Sequence, residues 1–294
     1  MTDAREVTLN LVGKWYRRYG VAPCPVCQSG RHKAQNALTI ADGQNGRLVL
    51  DCKKSACAFL DILAAAGVTS GSYVSSGPET LAKREAKKLK EAEKRAAQAR
   101  TIWSEALPID GTIAETYLHG RGITCHLPKS LRFQPSCWHA ATAKRYPAMV
   151  AAVQGNKLAA VHRTYLRPDG SGKADVEAPK MMLGAVMGAS VRLAEGLGAL
   201  VVCEGIETAL SLSSGLMREP AAIWAALSTS GMRKLSLPSQ VGLLTIAPDG
   251  DKAGREAANV LADRATSLGW QVSLLFAPEG LDWNNVLVMK GEAA

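Results

Sequence analysis

The feature that most constrains this chain is the alternation in its last hundred residues. Short apolar runs, "ALVVC", "AAIWAAL", "GLLTIA" and "WQVSLLFA", are separated by helix-like segments over 206–216 and 252–268. That order predicts an α/β fold, a parallel sheet covered by helices. Ligands of such sheets collect at the carboxyl ends of the strands, so acids that directly follow apolar runs are the candidates for chemistry. Glu204 follows "ALVVC", with Gly205 leaving room for a close approach. Asp249 and Asp251 follow "GLLTIA", and Asp282 follows "WQVSLLFA". Side chains at i and i+2 of an extended segment leave from one face, so Asp249 and Asp251 are expected to aim together at one small, hard cation. Two unpaired carboxylates that close repel each other, which argues against a purely structural role. Taken singly, the alternatives are plainer: a glutamate ahead of a helix is a helix-dipole partner, and Asp282 before "WNNVL" is a helix cap.

At 294 residues and 47% hydrophobic, the chain can hold two or three domains. A net charge of +9 favours polyanionic partners. No apolar run reaches the length of a membrane span, and "MTDAREVTLNLVGKWYRR" lacks the apolar core of a signal peptide, so a cytoplasmic protein with no membrane partner is expected. Seven cysteines without a secretory signal point to thiols and a metal site over disulfides.

Four of those cysteines lie in the first 70 residues. Cys24 and Cys27 form a knuckle, "CPVC", and Cys52 and Cys57 a wider one, "CKKSAC". Between them "ALTIADGQNGRLVL" reads as two strands joined by a Gly/Asn turn, the arrangement of a zinc ribbon, with four thiolates around one Zn²⁺. The wider second knuckle leaves open that His32 replaces one cysteine. Cys125, Cys137 and Cys203 lack ligand spacing and are expected to be small core or surface residues. "GVTSGSYVSSGP", 67–78, reads as a linker, and "ETLAKREAKKLKEAEKRAAQAR" as an exposed, solvated helix. The expected organisation is a zinc ribbon over 1–70, linker and charged helix over 71–103, a mixed α+β middle region over 104–195, and the parallel sheet over 196–294.

A glutamate-glycine after one strand and Asp-x-Asp after a later one resemble the Toprim domain of bacterial-type primases, topoisomerases, a class of nucleases and certain recombination proteins. "PDGDKAGREAA" looks particularly like the primase version. The resemblance implies that Glu204, Asp249 and Asp251 are the catalytic metal ligands. Two positions depart from the primase pattern: Thr208 stands where an aspartate is common, and Asn284 where a second acid follows Asp282. Both weigh against a full second metal site. A zinc ribbon ahead of Toprim resembles the primases of phages and plasmids, and "YLHGRGI", "LRFQP", "AAVHRTYLRPDG" and "APKMMLG" resemble the segment before Toprim in that group.

Arg163 and Lys180 are isolated cations in apolar text and need anionic partners, either phosphates or an internal acid such as Asp175 or Glu177. The function this reading implies is a DNA primase making short RNA primers on single-stranded DNA. Mg²⁺ or Mn²⁺ would sit on Glu204, Asp249 and Asp251, with Asp282 serving a second ion, while Lys252, Arg163 and Lys180 face phosphates. Ribonucleoside triphosphates and the template are the implied partners. The sequence has no GxxxxGK[ST] motif, so a separate replicative helicase is implied as well. A Toprim nuclease would use the same carboxylates for hydrolysis, and a recombination-mediator protein would combine zinc and Toprim as a DNA clamp without turnover. A topoisomerase needs an active tyrosine in a far larger clamp, for which the chain is expected to be too short.

Overall fold

A computed structural model describes residues 3–28, 36–43, 47–68, 78–196, 198–217 and 219–292. The chain divides into two units, Met1–Lys90 and Glu91–Ala294.

The first unit opens with helix α1 (Ala4–Asn10), whose amino end is capped by the Asp3 carboxylate accepting from the Glu6 N–H at 2.8 Å. Four short antiparallel strands follow in spatial order β1 (Lys14–Trp15), β2 (Gly20–Ala22), β3 (Leu38–Asp42) and β4 (Leu48–Cys52). Strands β3 and β4 are the hairpin expected between the cysteine pairs, in register from Leu38↔Cys52 to Asp42↔Leu48. Period-two alternation sends Leu38 and Ile40 inward, where they meet Val7 of α1 and Ile62 of helix α2 (Phe59–Ala65). His32 lies outside the described residues.

Helix α3 (Pro78–Glu105) runs past the division between the units. The expectation of a fully solvated helix needs correction over its last turns. Ala96 and Ala99 are buried, and Ala99 packs on Val150 and Val161 with Ile102 and Trp103 beside it. Small alanines dock a helix closely without the apolar stripe that a sequence pattern would register.

The second unit is built on two five-stranded sheets. After β5 (Leu107–Pro108) and helix α4 (Ile113–His119) come β6 (Leu131–His139), β7 (Lys144–Val153), β8 (Ala160–Tyr165) and β9 (Lys180–Gly184), an antiparallel sheet in sequence order. Every residue of β8 is buried, because both faces of the sheet are covered. On one face Val150 and Val161 meet α3, and on the other Met149, Ala151 and Ala160 join a larger core.

That larger core is shared with the second sheet, of order β10 (Val191–Ala194), β12 (Ala222–Ala225), β11 (Ala199–Cys203), β13 (Leu243–Ala247) and β14 (Gln271–Leu274). Strand β10 is antiparallel to β12 and the other pairs are parallel. Along β11, Val201 and Cys203 face the shared core with helix α5 (Ile206–Ser211). Leu200 and Val202 face a separate core formed with α6 (Thr229–Lys234) and α7 (Lys252–Ser267). A π-helical turn, Leu212–Leu216, follows α5, and α8 (Trp283–Glu292) closes the fold. Leu131, Phe133 and Leu166 on one side of the expected 195/196 boundary share one core with Ile206, Leu210 and Ile223 on the other. No helix among the described residues is long and apolar enough to cross a membrane.

Candidate functional site

The carboxylates gather where the strand order reverses. From β11 the chain moves to β12 on one side, then crosses over to β13 on the other, which leaves a crevice at the carboxyl ends of β11 and β13. These two strands end in register, Cys203 opposite Ala247, so Glu204 and the Pro248–Asp251 turn emerge side by side. Burial, then the charges of Asp249 and Asp251, push the Glu204 carboxyl up to about 7. Burial, then Asp282, push Asp249 up to about 6 against the opposing donation of the Thr208 hydroxyl, 3.2 Å away.

The backbone bends at Gly250 and Asp251, and Asp251 itself is extended at φ −92°, ψ 167°. A Cβ on Gly250 would stand 1.9 Å from the Pro278 carbonyl oxygen, so only glycine lets the 277–281 loop close over the turn. That loop is fastened by Gly250 N–H to Leu281 O at 2.8 Å and by the Trp283 indole N–H to Pro248 O at 3.2 Å. Asp251 then caps α7, one oxygen accepting from the Gly254 N–H at 2.6 Å. Asp282 does the same for α8, accepting from the Asn285 N–H at 2.7 Å. The capping reading of Asp282 is thus what the structure displays, and it occupies one of two oxygens.

Behind the acids lies a group that the sequence reading missed. Glu207, in the first turn of α5, is buried and accepts from the Tyr117 hydroxyl at 3.0 Å and from Lys180 Nζ at 2.9 Å, with Lys173 Nζ 3.4 Å away. Burial opposes its ionisation, but Lys180 and Lys173 outweigh it and hold the carboxyl well below the usual range. Lys180 is therefore paired with neither Asp175, which is bidentate to Arg167, nor Glu177, but with Glu207. Its side chain remains 38% exposed, and it lowers the pKa of both Glu204 and Asp249. An ammonium carries three protons, so Lys180 can hold Glu207 and still face an anion.

Arg163 does not stand with Lys180. Lys180 is opposite Thr164 across β8 and β9, which puts it on the face of Thr164 and His162. Arg163 points the other way, over the Tyr165 ring, and donates to the Trp138 carbonyl at 3.3 Å. It is buried there, so the expectation of a phosphate partner beside Lys180 is corrected by one step of strand register. Lys252 is exposed at the first residue of α7, directly after Asp251. Asn284 is a buried tie, donating to Arg121 O at 2.8 Å and to the Ser211 hydroxyl at 2.9 Å.

The four cysteines form the second site. The Sγ atoms of Cys24, Cys27, Cys52 and Cys57 all lie within 4.8 Å of one another, and those of Cys27 and Cys52 are 3.6 Å apart. Four thiolates at the Zn–S distance on a tetrahedron are about 3.8 Å apart, so the spacing fits. Burial raises the Cys52 thiol, but the backbone N–H groups of Ser55, Cys57 and Lys54 outweigh it and bring it down to about 6. Burial and the neighbouring thiols push Cys57 up to about 12. Such crowding of thiols around one thiolate suits a bound cation. Among the described residues this is the group of possible ligands drawn to that spacing; the carboxylates at the sheet edge stand further apart. Cys137 and Cys203 are buried and Cys125 is half-buried.

The order of the sheet and its acid edge agree with a match of residues 199–293 to the family model of the Toprim domain. Residues 199–293 are a Toprim domain. The segment before it, 93–193, matches a domain of unknown function, DUF7146. Solved structures similar to the chain include a DNA primase domain from Pseudomonas aeruginosa, at 17% identity and a TM-score of 0.41, covering 67% of this chain and 75% of that one. The zinc-binding and RNA polymerase domains of the Aquifex aeolicus primase align over 100% of this chain and 83% of theirs, at 14% identity and a TM-score of 0.44. The RNA polymerase domain of Mycobacterium tuberculosis primase DnaG aligns over 69% of this chain and 80% of that one, at 18% identity and a TM-score of 0.40. No curated protein matches the sequence significantly. In the Toprim domain of this chain, Thr208 and Asn284 serve as a hydrogen-bond donor to Asp249 and a helix tie.

Proposed function

We propose that this chain is a DNA primase that joins ribonucleotides into short RNA primers on a single-stranded DNA template. The observation that carries the reading is the Toprim edge itself, where Glu204, Asp249 and Asp251 are neighbours at the ends of β11 and β13 and Lys180 acts on two of them. Carboxyls pushed to about 7 and about 6 favour a positive partner at neutral pH. Mg²⁺ or Mn²⁺ supplies charge neutralisation and activation of the attacking 3′-hydroxyl when bound there. Glu204, Asp249 and Asp251 would hold the ion, Asp282 would offer a further carboxylate, and Lys180 and Lys252 would face the phosphates of the incoming nucleotide. Glu207 keeps Lys180 in place. Zn²⁺ on Cys24, Cys27, Cys52 and Cys57 stiffens the ribbon, which engages the template. A replicative helicase is the further partner this reading calls for, to open the strands ahead of the primer site.

The test incubates the pure chain with single-stranded DNA, labelled ribonucleotides and Mg²⁺ or Mn²⁺. Short RNA products are expected from wild type, and none from Glu204→Gln or Asp251→Asn. Asparagine caps a helix as well as aspartate does, so Asp251→Asn keeps the α7 cap while losing the charge. Wild-type rates in Asp251→Asn refute the catalytic assignment. Metal-dependent DNA cutting without nucleotides would instead identify a Toprim nuclease, and DNA binding without turnover a recombination-mediator type of clamp.

A further inference from the structure

The tip of the first hairpin carries residues that neither the zinc site nor the acid edge uses. In "KWYRRYG", β1 and β2 pair Lys14 with Val21 and Trp15 with Gly20, and the Tyr16 N–H closes the turn on the Tyr19 carbonyl at 2.7 Å. Trp15 packs against the core of the unit and anchors the hairpin. A Cβ on Gly20 would fall 2.0 Å from the Thr8 hydroxyl of α1, so the hairpin base is pressed against that helix. Residues 16–19 of the tip are exposed beyond this base. Tyr16 and Tyr19 stack on each other, centroids 5.4 Å apart and planes 24° apart, yet they are 42% and 44% exposed. Arg17 and Arg18 lie exposed between them, and Lys14 sits 5.5 Å from the Tyr16 ring.

Core packing does not require this arrangement, since Trp15 and Gly20 already seat the hairpin. Single exposed aromatic residues are ordinary, but a stacked pair framed by three cations offers flat apolar faces and positive charge to one partner. Unpaired nucleobases on a phosphate backbone have the matching chemistry: every base has a π-face to stack, and every nucleotide carries a negative charge. A duplex keeps its bases stacked on each other and offers the rings little. We infer that the Lys14–Tyr19 hairpin tip is a stacking platform for single-stranded DNA, sequence-tolerant and separate from the metal-binding cysteines. The inference rests on DNA being the partner in the proposed reading and says where the strand is gripped.

The test is fluorescence anisotropy of a labelled dT20 with the full chain, without nucleotides, across a salt series. Tyr16→Ser with Tyr19→Ser is expected to weaken dT20 binding by on the order of tenfold or more, while Tyr16→Phe with Tyr19→Phe retains it. Arg17→Gln with Arg18→Gln is expected to lower the slope of log affinity against log salt by about 1.4, roughly 0.7 for each phosphate that is no longer neutralised. Unchanged zinc content and circular dichroism certify the fold of each variant. Serine variants that bind dT20 within twofold of wild type overturn the platform, as does equal loss of duplex binding, which stacking cannot produce. The two readings fail separately. Protein that makes no primer yet grips dT20 through these rings overturns the primase and supports the platform, whereas priming with ring-independent dT20 binding does the reverse.

Discussion

Glu207→Gln replaces a buried carboxylate by a neutral amide of nearly the same shape, leaving Lys173 and Lys180 beside an uncharged partner. Full burial of such a pair would make the loss about 3–5 kcal/mol. Full exposure would make it about 0–1 kcal/mol. Glu207 is 6% exposed but its lysines are 30% and 38% exposed, so both ammonium groups can turn toward water. One short charge-assisted bond at 2.9 Å is removed outright and a longer ion pair at 3.4 Å is weakened, for a net destabilisation of about 2–3 kcal/mol at pH 7. The sign of the pH dependence follows from the direction of the shift. The folded carboxyl is held below its ordinary value near 4.5, so its stabilisation is fully present above that value and is lost as pH falls through the lower folded value. The gap between wild type and variant is therefore flat from pH 8 to pH 5 and closes only in stronger acid. Urea denaturation followed by tryptophan emission measures it, since five of the six tryptophans lie in residues 91–294. A gap under about 0.5 kcal/mol, or one that closes between pH 8 and pH 5, refutes the buried-anchor role.

Three further outcomes are expected. Cys52→Ser loses bound zinc while Cys125→Ser does not, read by metal analysis of the purified chains. Gly250→Ala drives a methyl group into the Pro278 carbonyl, so it should cost about 1–3 kcal/mol in urea melts and lower primer synthesis with the acids all in place. His162 is held down to about 4, chiefly by burial, with Lys180, Arg163 and Lys173 disfavouring its charge against Glu207. Its ordinary value is 6.5, so the unfolded chain binds a proton that the folded chain refuses, and wild type should lose about 3 kcal/mol as pH falls from about 6.5 to about 4. His162→Asn should flatten that slope; equal slopes in both proteins would remove His162 as its source.

The parallel sheet and its acid edge were legible because both are written locally: each strand is an apolar run, and Glu204 and Asp249 come within two residues of a strand end. The cysteine hairpin was legible for the same reason. What stayed hidden depends on pairing between distant segments. Glu207 meets Tyr117 from 90 positions away, and nothing near it in the sequence shows that a first-turn glutamate faces inward. Arg163 and Lys180 look equivalent as isolated cations, and only the Thr164↔Lys180 register sends them to opposite faces. The docking of α3 rests on Ala96 and Ala99, which no hydrophobic periodicity would single out in a segment so rich in charge.

The common core beneath the two matched families limits how they can be inherited. Phe133, Met149 and Leu166 belong to the 93–193 match and Val201, Leu210 and Ile223 to the Toprim match, yet they fill one interior. A recombination crossover near residue 196 would join two half-interiors that had never been selected against each other, leaving voids or collisions in the wall behind Glu204. Shuffling of modules among relatives should therefore leave this seam intact and break instead near residues 67–78, and chimeras cut at the two places should differ sharply in soluble yield.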